Sequence, residues 1–412
     1  MDREPRAEVR ATLHEHLAWW GLKRFTSDAD YFAWQRRQLS HADLTQLNAQ
    51  IDRKRGGERR DEVAFYDLTT QPLILPVLYS QRYEYYCEIA SHVAARFGNA
   101  SSILDFGCGV GILSTFYATQ YSDRQFVGID RSPASIAVAR EKARKLGLRN
   151  IRFECVDIES EHLTGAYDLI VATHALVQAE QDPGIPSHSW QTFERARDAK
   201  QQTAFEQRTG IGIRLDRLRA SLAQEGRMIV SEKTRQLARR VPFQRALARR
   251  GLQPVEAPKP IHYQLVEEVA DDGPFYVLGR KTPQQFQWDE SPEPDTGGPF
   301  DRSNLTTEST DPDAPLYENH WPSAQRVWET LHDTHLLKET TTQGPDGRQL
   351  HVELGQAEEG VYLYCANTLD QRQLVIVEPA RTVMLESYYQ EIASRVLSQN
   401  AEKILQRNRP GA

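Results

Sequence analysis

The chain is short of the features that define several large protein classes. Its four cysteines, Cys87, Cys108, Cys155 and Cys365, are scattered without C-x-x-C spacing. That excludes a disulfide framework and a ribbon-type zinc site, predicts no metal, and fits a reducing cytoplasm. No apolar run approaches the ~20 residues of a membrane span. The start, Met1-Asp2-Arg3-Glu4-Pro5, lacks the apolar core of a signal peptide. Positive charge is not in excess either. The net charge of −7 gives no general pull toward nucleic acid or anionic membrane. No internal repeat is visible. Hydrophobic residues make up 39% of the 412 positions, a little low for a globular chain. The deficit predicts a polar linker, and the length predicts two or three domains.

What the chain does have is Ile103-Leu104-Asp105-Phe106-Gly107-Cys108-Gly109-Val110-Gly111. Ser101 to Phe106 reads as a short buried strand. Glycines at every second position let the chain turn sharply and leave bare backbone for a ligand. Ile112 to Tyr121 reads as a helix whose first amides point at that ligand. The dinucleotide fingerprint needs its third glycine at position 112, which is isoleucine here. The acid-x-G-x-G-x-G spacing instead resembles motif I of the class I methyltransferases that depend on S-adenosylmethionine (SAM).

Residues 1–98 read as a helical cap. Val9, Leu13, Leu17 and Trp20 recur at helical spacing, and Tyr31, Phe32, Trp34 and Leu39 continue it. Ser40 and Asp43 read as a capping box. The basic, glycine-broken run from Arg53 to Arg60 reads as an exposed loop. Trp19, Trp20 and Trp34 either pack the cap onto the next domain or line an apolar substrate pocket.

From 99 to 282 strands and helices alternate. Strands are expected near 101–106, 126–130, 151–157, 167–172 and 226–232. Two more fall at about 261–269 and 275–280, with Asp271-Asp272-Gly273 between them as a hairpin turn. Ser132-Pro133 opens a helix with proline at its first position. The piece at about 178–210 exceeds an ordinary crossover and reads as a mostly helical inserted lid. Residues 283–315, rich in proline and polar residues, read as a flexible linker. Residues 316–412 read as a small α+β domain of no recognised family. It is expected to have a helix near 322–337, four antiparallel strands and a last helix from 381 to about 405.

Three acids close three successive strands: Asp105, Asp130 and Asp157. Such ends meet the crevice of a doubly wound sheet. They extend the methyltransferase resemblance over about residues 80–281. It implies an α/β, Rossmann-like seven-stranded class I methyltransferase sheet under the N-terminal cap, with the C-terminal domain separate. It also implies SAM as the cofactor. Asp105, Gly107, Gly109 and Gly111 would face its amino-acid end, Asp130 its ribose, and Asp157 and Ile158 its adenine. Arg131 and Thr173 would stand beside them, and Tyr79 and Arg82 would meet the methionine carboxylate.

The fourth strand runs into Ala172-Thr173-His174-Ala175-Leu176. Methyltransferases of adenine or cytosine amino groups carry an Asn/Asp-Pro-Pro-aromatic motif here. Its absence argues against a nucleic-acid substrate, and the loop resembles that of small-molecule members. His174, whose ordinary pKa lies near neutrality, is the candidate general base, with a packing role as the alternative. Glu232 and His188 are further candidates. Cys108 reads as a small packing residue, and the arginines from Arg235 to Arg250 as a solvated face. The reading is a cytoplasmic SAM-dependent methyltransferase of a small metabolite or natural product, transferring methyl to oxygen, nitrogen or carbon. The alternatives are a peptide or protein substrate recruited by the C-terminal domain, and a SAM-binding subunit without catalysis. That domain is also the expected place for a homodimer or protein-partner contact.

Overall fold

The computed structural model describes residues 4–55, 59–177, 182–280, 288–301, 314–344 and 346–396. They form two units. The first comprises residues 1–182, 200–235 and 243–288, and the second 183–199, 236–242 and 289–412.

The first unit opens with six helices, α1 Glu4–Trp19, α2 Asp28–Gln38, α3 His41–Arg55, α4 Arg59–Thr69, α5 Ile74–Ser80 and α6 Tyr83–Ala94. Ser40 and Asp43 do close a reciprocal capping box at the start of α3, each backbone N–H donating to the other's side chain. Helix α3 takes in Arg53–Arg55 and α4 takes in Arg59 and Arg60 of the basic stretch expected as a loop, and residues 56–58 lie outside the described residues. Leu13, Leu17 and Trp20 of α1, with Tyr85, Tyr86 and Ile89 of α6, share one core with the sheet residues Ile103, Val171, Ile229 and Phe275. A second core joins α2 to α5 through Tyr31, Trp34, Leu47, Phe65 and Val77. Trp20 and Trp34 are therefore packing residues, and Trp19 is 41% exposed.

The sheet consists of β1 Ser102–Phe106, β2 Gln125–Asp130, β3 Ile151–Cys155, β4 Tyr167–Thr173, β5 Leu222–Ser231, β6 Gln253–Pro254, β7 Lys259–Leu265 and β8 Glu268–Gly279. Its order is β3-β2-β1-β4-β5-β8-β6, with β7 also pairing β8. The first five strands are parallel, and β8 runs antiparallel to β5, β6 and β7. These are the seven expected strands and an additional two-residue strand, β6. Helices α7 Ile112–Gln120 and α8 Pro133–Lys145 make the first crossovers. Strand order reverses between β1 and β4, which sets the ligand crevice of such a sheet beyond their carboxyl ends.

The hairpin turn is displaced from the expected place. β7 and β8 meet at Val266-Glu267, with Val266 at φ 58°. Asp271-Asp272-Gly273 instead lies inside β8. There the pairing steps two residues along β7, from Pro260 to His262, and three along β8, from Pro274 to Asp271. That extra residue is a β-bulge, a device that bends a strand and re-aims a side chain.

The expected helical lid also differs. Residues 182–198 have no helix, and α9 Ala199–Arg208 and α10 Ile211–Ala220 follow. Residues 183–199 belong to the second unit. Residues 178–181 lie outside the described residues. Helix α11, Leu237–Arg249, contains Pro242. The arginines expected on a solvated face are largely engaged. Arg250 pairs with Asp216 and Glu206, Arg235 with Asp271, and Arg240 is buried against Glu293.

Among the described residues the second unit has five strands where four were expected: β9 Tyr317–Asn319, β10 His335–Gln343, β11 Gln349–Ala357, β12 Gly360–Asn367 and β13 Arg372–Val377. They are antiparallel in the order β10-β11-β12-β13-β9. The expected helix at 322–337 shortens to α12 Ala324–Glu329, because its last residues are the start of β10. One sheet face packs Val352, Leu354 and Leu363 on Leu385, Tyr389 and Ile392 of α13 Thr382–Val396. The other packs Tyr362, Tyr364 and Ile376 against α12 and Trp190. Most of the expected linker at 283–315 lies outside the described residues, and 288–301 is irregular. Among the described residues no helix is long and apolar enough to cross a membrane.

Candidate active site

The glycine turn after β1 is tied to the end of β2. The backbone N–H groups of Gly107 and Cys108 both donate to the Ile129 carbonyl, at 2.9 and 3.0 Å. The Gly109 N–H donates to Asp130 Oδ2 at 2.9 Å, and the Ser132 N–H to Oδ1 at 2.8 Å. Ser132 also caps α8 by accepting from the Ser135 N–H. The result is a taut corner in which Asp130 braces the turn while keeping lone pairs for a ligand. Gly107 and Gly109 both have positive φ, 73° and 53°. Gly107 abuts Ala175, and nothing lies within 4 Å of where a Gly109 side chain would begin.

A cavity opens over this corner. Asp105, Gly107, Gly109, Asp130, Arg131, Asp157, Ile158, Thr173, His174, Tyr79 and Arg82 all line it. Sheet and cap thus bring together His174 and the expected cofactor residues except Gly111, while the further candidates Glu232 and His188 do not line the cavity. Gly111 stands outside. It is the N-terminal cap of α7 at φ 83°, and a side chain there would press on Ala139 and Phe153. Its role is packing. His188 is exposed and belongs to the second unit. Cys108 lines the cavity half-buried, and desolvation pushes its thiol well above its ordinary pKa, which disfavours the thiolate.

The cap supplies the roof through tyrosines, which leaves the tryptophans to the packing reading. Tyr66 of α4, Tyr79 of α5, and Tyr85 and Tyr86 of α6 line the cavity with Lys54 and Glu62. Arg82 lies 5.6 Å from the Tyr85 ring centre and has no acidic partner among the described residues. Burial raises the Asp105 carboxyl to about 6, against the pull of the Ser114 hydroxyl that donates to it.

His174 follows β4 directly, and its N–H continues the ladder by donating to the Ser231 carbonyl at 2.8 Å. Its backbone has φ 54°, uncommon for a residue with a side chain. Two buried groups hold it there. Glu232, just past β5, accepts from the N–H groups of Ala175, Leu176 and Val177 at 2.7, 2.7 and 3.4 Å. Arg214 of α10 donates to the Leu176 carbonyl at 2.8 Å and to Glu159 at 2.9 Å. Glu232 is therefore an anchor of the loop, not a free acid at the reaction centre. The His174 ring stacks on Tyr85, 4.6 Å between centres, and its Nε2 stands 2.9 Å from Asp272 Oδ2. Burial outweighs that carboxylate and lowers the ring to about 4, so it is neutral near pH 7.

Sequence reasoning missed Asp272, Arg214 and the anchoring role of Glu232. Arg214 had a signal, a charge inside the apolar helical run Ile211, Leu215, Leu218. Burial raises the Glu232 carboxyl to about 7 against the pull of its three amides. The folded state then holds a proton that the unfolded chain releases at about 4.5. This stabilisation is full below pH 4.5 and is lost as pH rises through 7. Glu232→Gln is expected to remove that dependence. The stability gap between parent and variant should change by roughly 3 kcal/mol between pH 4.5 and 8. Parallel denaturation curves across this range would rule the assignment out.

With the site in view, the relatives can be placed. Residues 98–271 match the family described as "Methyltransferase domain". This part of the chain, less than half of it, resembles a class I methyltransferase domain, the class whose cofactor is SAM. A malonyl-[acyl-carrier protein] O-methyltransferase of Acetivibrio thermocellus is 36% identical over 70 residues, 17% of this chain and 24% of that one. The release factor glutamine methyltransferase of Escherichia coli is 26% identical over 155 residues, 37% of this chain and 56% of that one. The chain therefore spans between about a quarter and just over half of these curated relatives. Among solved structures, a magnesium protoporphyrin IX methyltransferase from Synechocystis aligns at 16% identity and TM-score 0.33, covering 49% of this chain and 79% of that one.

Proposed function

We propose that the protein transfers a methyl group from SAM to an oxygen, nitrogen or carbon nucleophile of a small-molecule acceptor, with His174 as the general base. The observation that carries this is His174 itself. It lines the cavity next to the glycine turn, and both of its ring nitrogens are buried without a well-directed hydrogen bond among the described residues, Nε2 standing 2.9 Å from Asp272 Oδ2. The residues fit the cofactor. The open face of Gly109, the uncapped N-terminus of α7 and the unpaired Arg82 suit its amino-acid end. Asp130 suits its ribose hydroxyls, and Asp157 with Ile158 its adenine. Bound there, SAM supplies an electrophilic methyl on a sulfonium centre and leaves as S-adenosylhomocysteine.

The chain's own residues bind, orient and take a proton. Tyr66, Tyr79, Tyr85 and Tyr86 exclude water and hold a flat or apolar acceptor. His174 Nδ1 accepts the acceptor's proton as its nucleophile commits. Alignment of nucleophile and methyl supplies much of the rate. The likeness to a release factor methyltransferase favours a second reading, in which the acceptor is a peptide.

The test is conversion of SAM to S-adenosylhomocysteine against a metabolite extract and a peptide library, with mass spectrometry of the product. Turnover on peptides alone would overturn the small-molecule reading. Asp130→Ala should weaken SAM binding by about 1–3 kcal/mol by stranding ribose hydroxyls. Unchanged affinity in calorimetry would remove Asp130 from the site.

A further inference from the structure

The bulge in β8 does more than bend an edge of the sheet. It sets Asp272 beside the one histidine of the cavity and holds it from both sides. The backbone carbonyl of Asp272 accepts from the N–H groups of Thr234 and Arg235, at 2.7 and 2.9 Å, which locks the bulged segment onto the chain leaving β5. Its carboxylate accepts from the Tyr263 hydroxyl at 2.6 Å on the same oxygen that stands 2.9 Å from His174 Nε2. Tyr263 sits across the hairpin on β7 and meets Tyr85 edge-on, 5.1 Å between ring centres. Tyr85 in turn stacks on the histidine. His174, Asp272, Tyr263 and Tyr85 thus close a ring of contacts, in which a small turn of the imidazole would aim Nε2–H along a hydrogen bond to the carboxylate.

We propose that Asp272 is the positioning residue of this site: it fixes the His174 tautomer with the proton on Nε2, so that Nδ1 presents its lone pair to the acceptor. The inference rests on the reading of His174 as the base. A neutral imidazole carries one proton, and a neighbouring carboxylate decides which nitrogen holds it. Without that partner the proton would divide between the two nitrogens, and only part of the enzyme could accept a proton at Nδ1. Tyr263 tunes the arrangement by drawing charge from the carboxylate. The Asp272 carboxyl is ionised: burial acts to raise it, and the His174 ring and the Tyr263 hydroxyl outweigh burial and hold it below the usual range. The other groups facing His174 are Arg82 just before α6, Tyr85 within it and Lys233 after β5. The two cations oppose protonation of the ring, so Asp272 is its single supporting charge among these neighbours.

The experiment uses the full chain labelled with ¹⁵N and ¹³C histidine, with His174→Gln to identify the signal among the 12 histidines. In the parent the ring nitrogens should report the Nε2–H tautomer. Asp272→Asn should mix the tautomers and lower the ring's pKa, because a carboxylate that favours the imidazolium is gone. Tyr263→Phe should raise the pKa, because the carboxylate keeps its full charge. With an acceptor in hand, Asp272→Asn should lower kcat on the order of 10–10³-fold with KM for SAM unchanged. The acid limb of the kcat profile should move to lower pH with the ring. A tautomer and titration that ignore both substitutions overturn the inference, whatever the turnover. A ring that responds as expected while His174→Ala keeps full turnover leaves the inference standing and removes the base reading beneath it. Should the asparagine variant not fold, the upward shift in Tyr263→Phe decides by its sign.

Discussion

Replacing His174 with alanine is expected to cut turnover by about 10²–10⁴-fold while SAM affinity changes by no more than about threefold. The reason is the division of labour in the cavity. The cofactor-side groups hang on β1, β2 and β3, where Asp130 is braced by its own amide bonds. His174 hangs on β4 and touches none of them by hydrogen bond. Its ring is neutral in the working range, because burial lowers it to about 4. Its lone pair is thus available throughout that range, and activity should fall only under acid conditions. Steady-state rates with calorimetric SAM affinities separate the outcomes. Equal losses in rate and affinity would make His174 a cofactor contact. The loop should survive the substitution, because its fixings are Glu232 and Arg214 rather than the ring.

The second large effect is on stability. Gly107→Ala should destabilise the first unit by about 2–5 kcal/mol, and SAM binding should fall with it. Two costs add. A residue with a side chain at φ 73° carries about 1–2 kcal/mol of left-handed strain. The new methyl would also collide with the Ala175 side chain, an overpacking cost of about 1–3 kcal/mol. Ala175 cannot retreat, since its N–H is bonded to Glu232. Gly109→Ala is the internal control: its φ of 53° brings strain, but the space around it is open. If the two variants melt together, the collision is not what matters and the argument fails.

The parallel half of the fold was legible because its signals are local. Each acid sits at the end of its own apolar run, and sheet geometry carries Asp105, Asp130 and Asp157 to one edge without further information. His174 was legible by position for the same reason. Asp272 was not. Asp271-Asp272-Gly273 has the composition of a tight turn, and only pairing with β7 shows it to be a bulge. The true turn holds Val266 at φ 58°, a β-branched residue where glycine is the ordinary choice. Here cross-strand pairing overrode local preference. The stretch at 183–198 carries conflicting signals: the length of the gap suits a helical insert, whereas Pro183, Gly184 and Pro186 argue against a helix.

The second unit also sets a schedule for synthesis. Arg195 is fully buried against Asp370, a residue 175 positions further along the chain. Ile185 donates to the Ala238 carbonyl, and Ser187 to that of Thr368. At about 5–20 residues per second, Arg195 is synthesised roughly 9–35 s before its partner exists. The strap at 183–199 must wait that long as an unpaired segment, holding a cation and Trp190 in water. A nascent chain halted after residue 280 would carry this strap with no sheet to close on. It should therefore draw chaperones and proteases that the finished chain escapes.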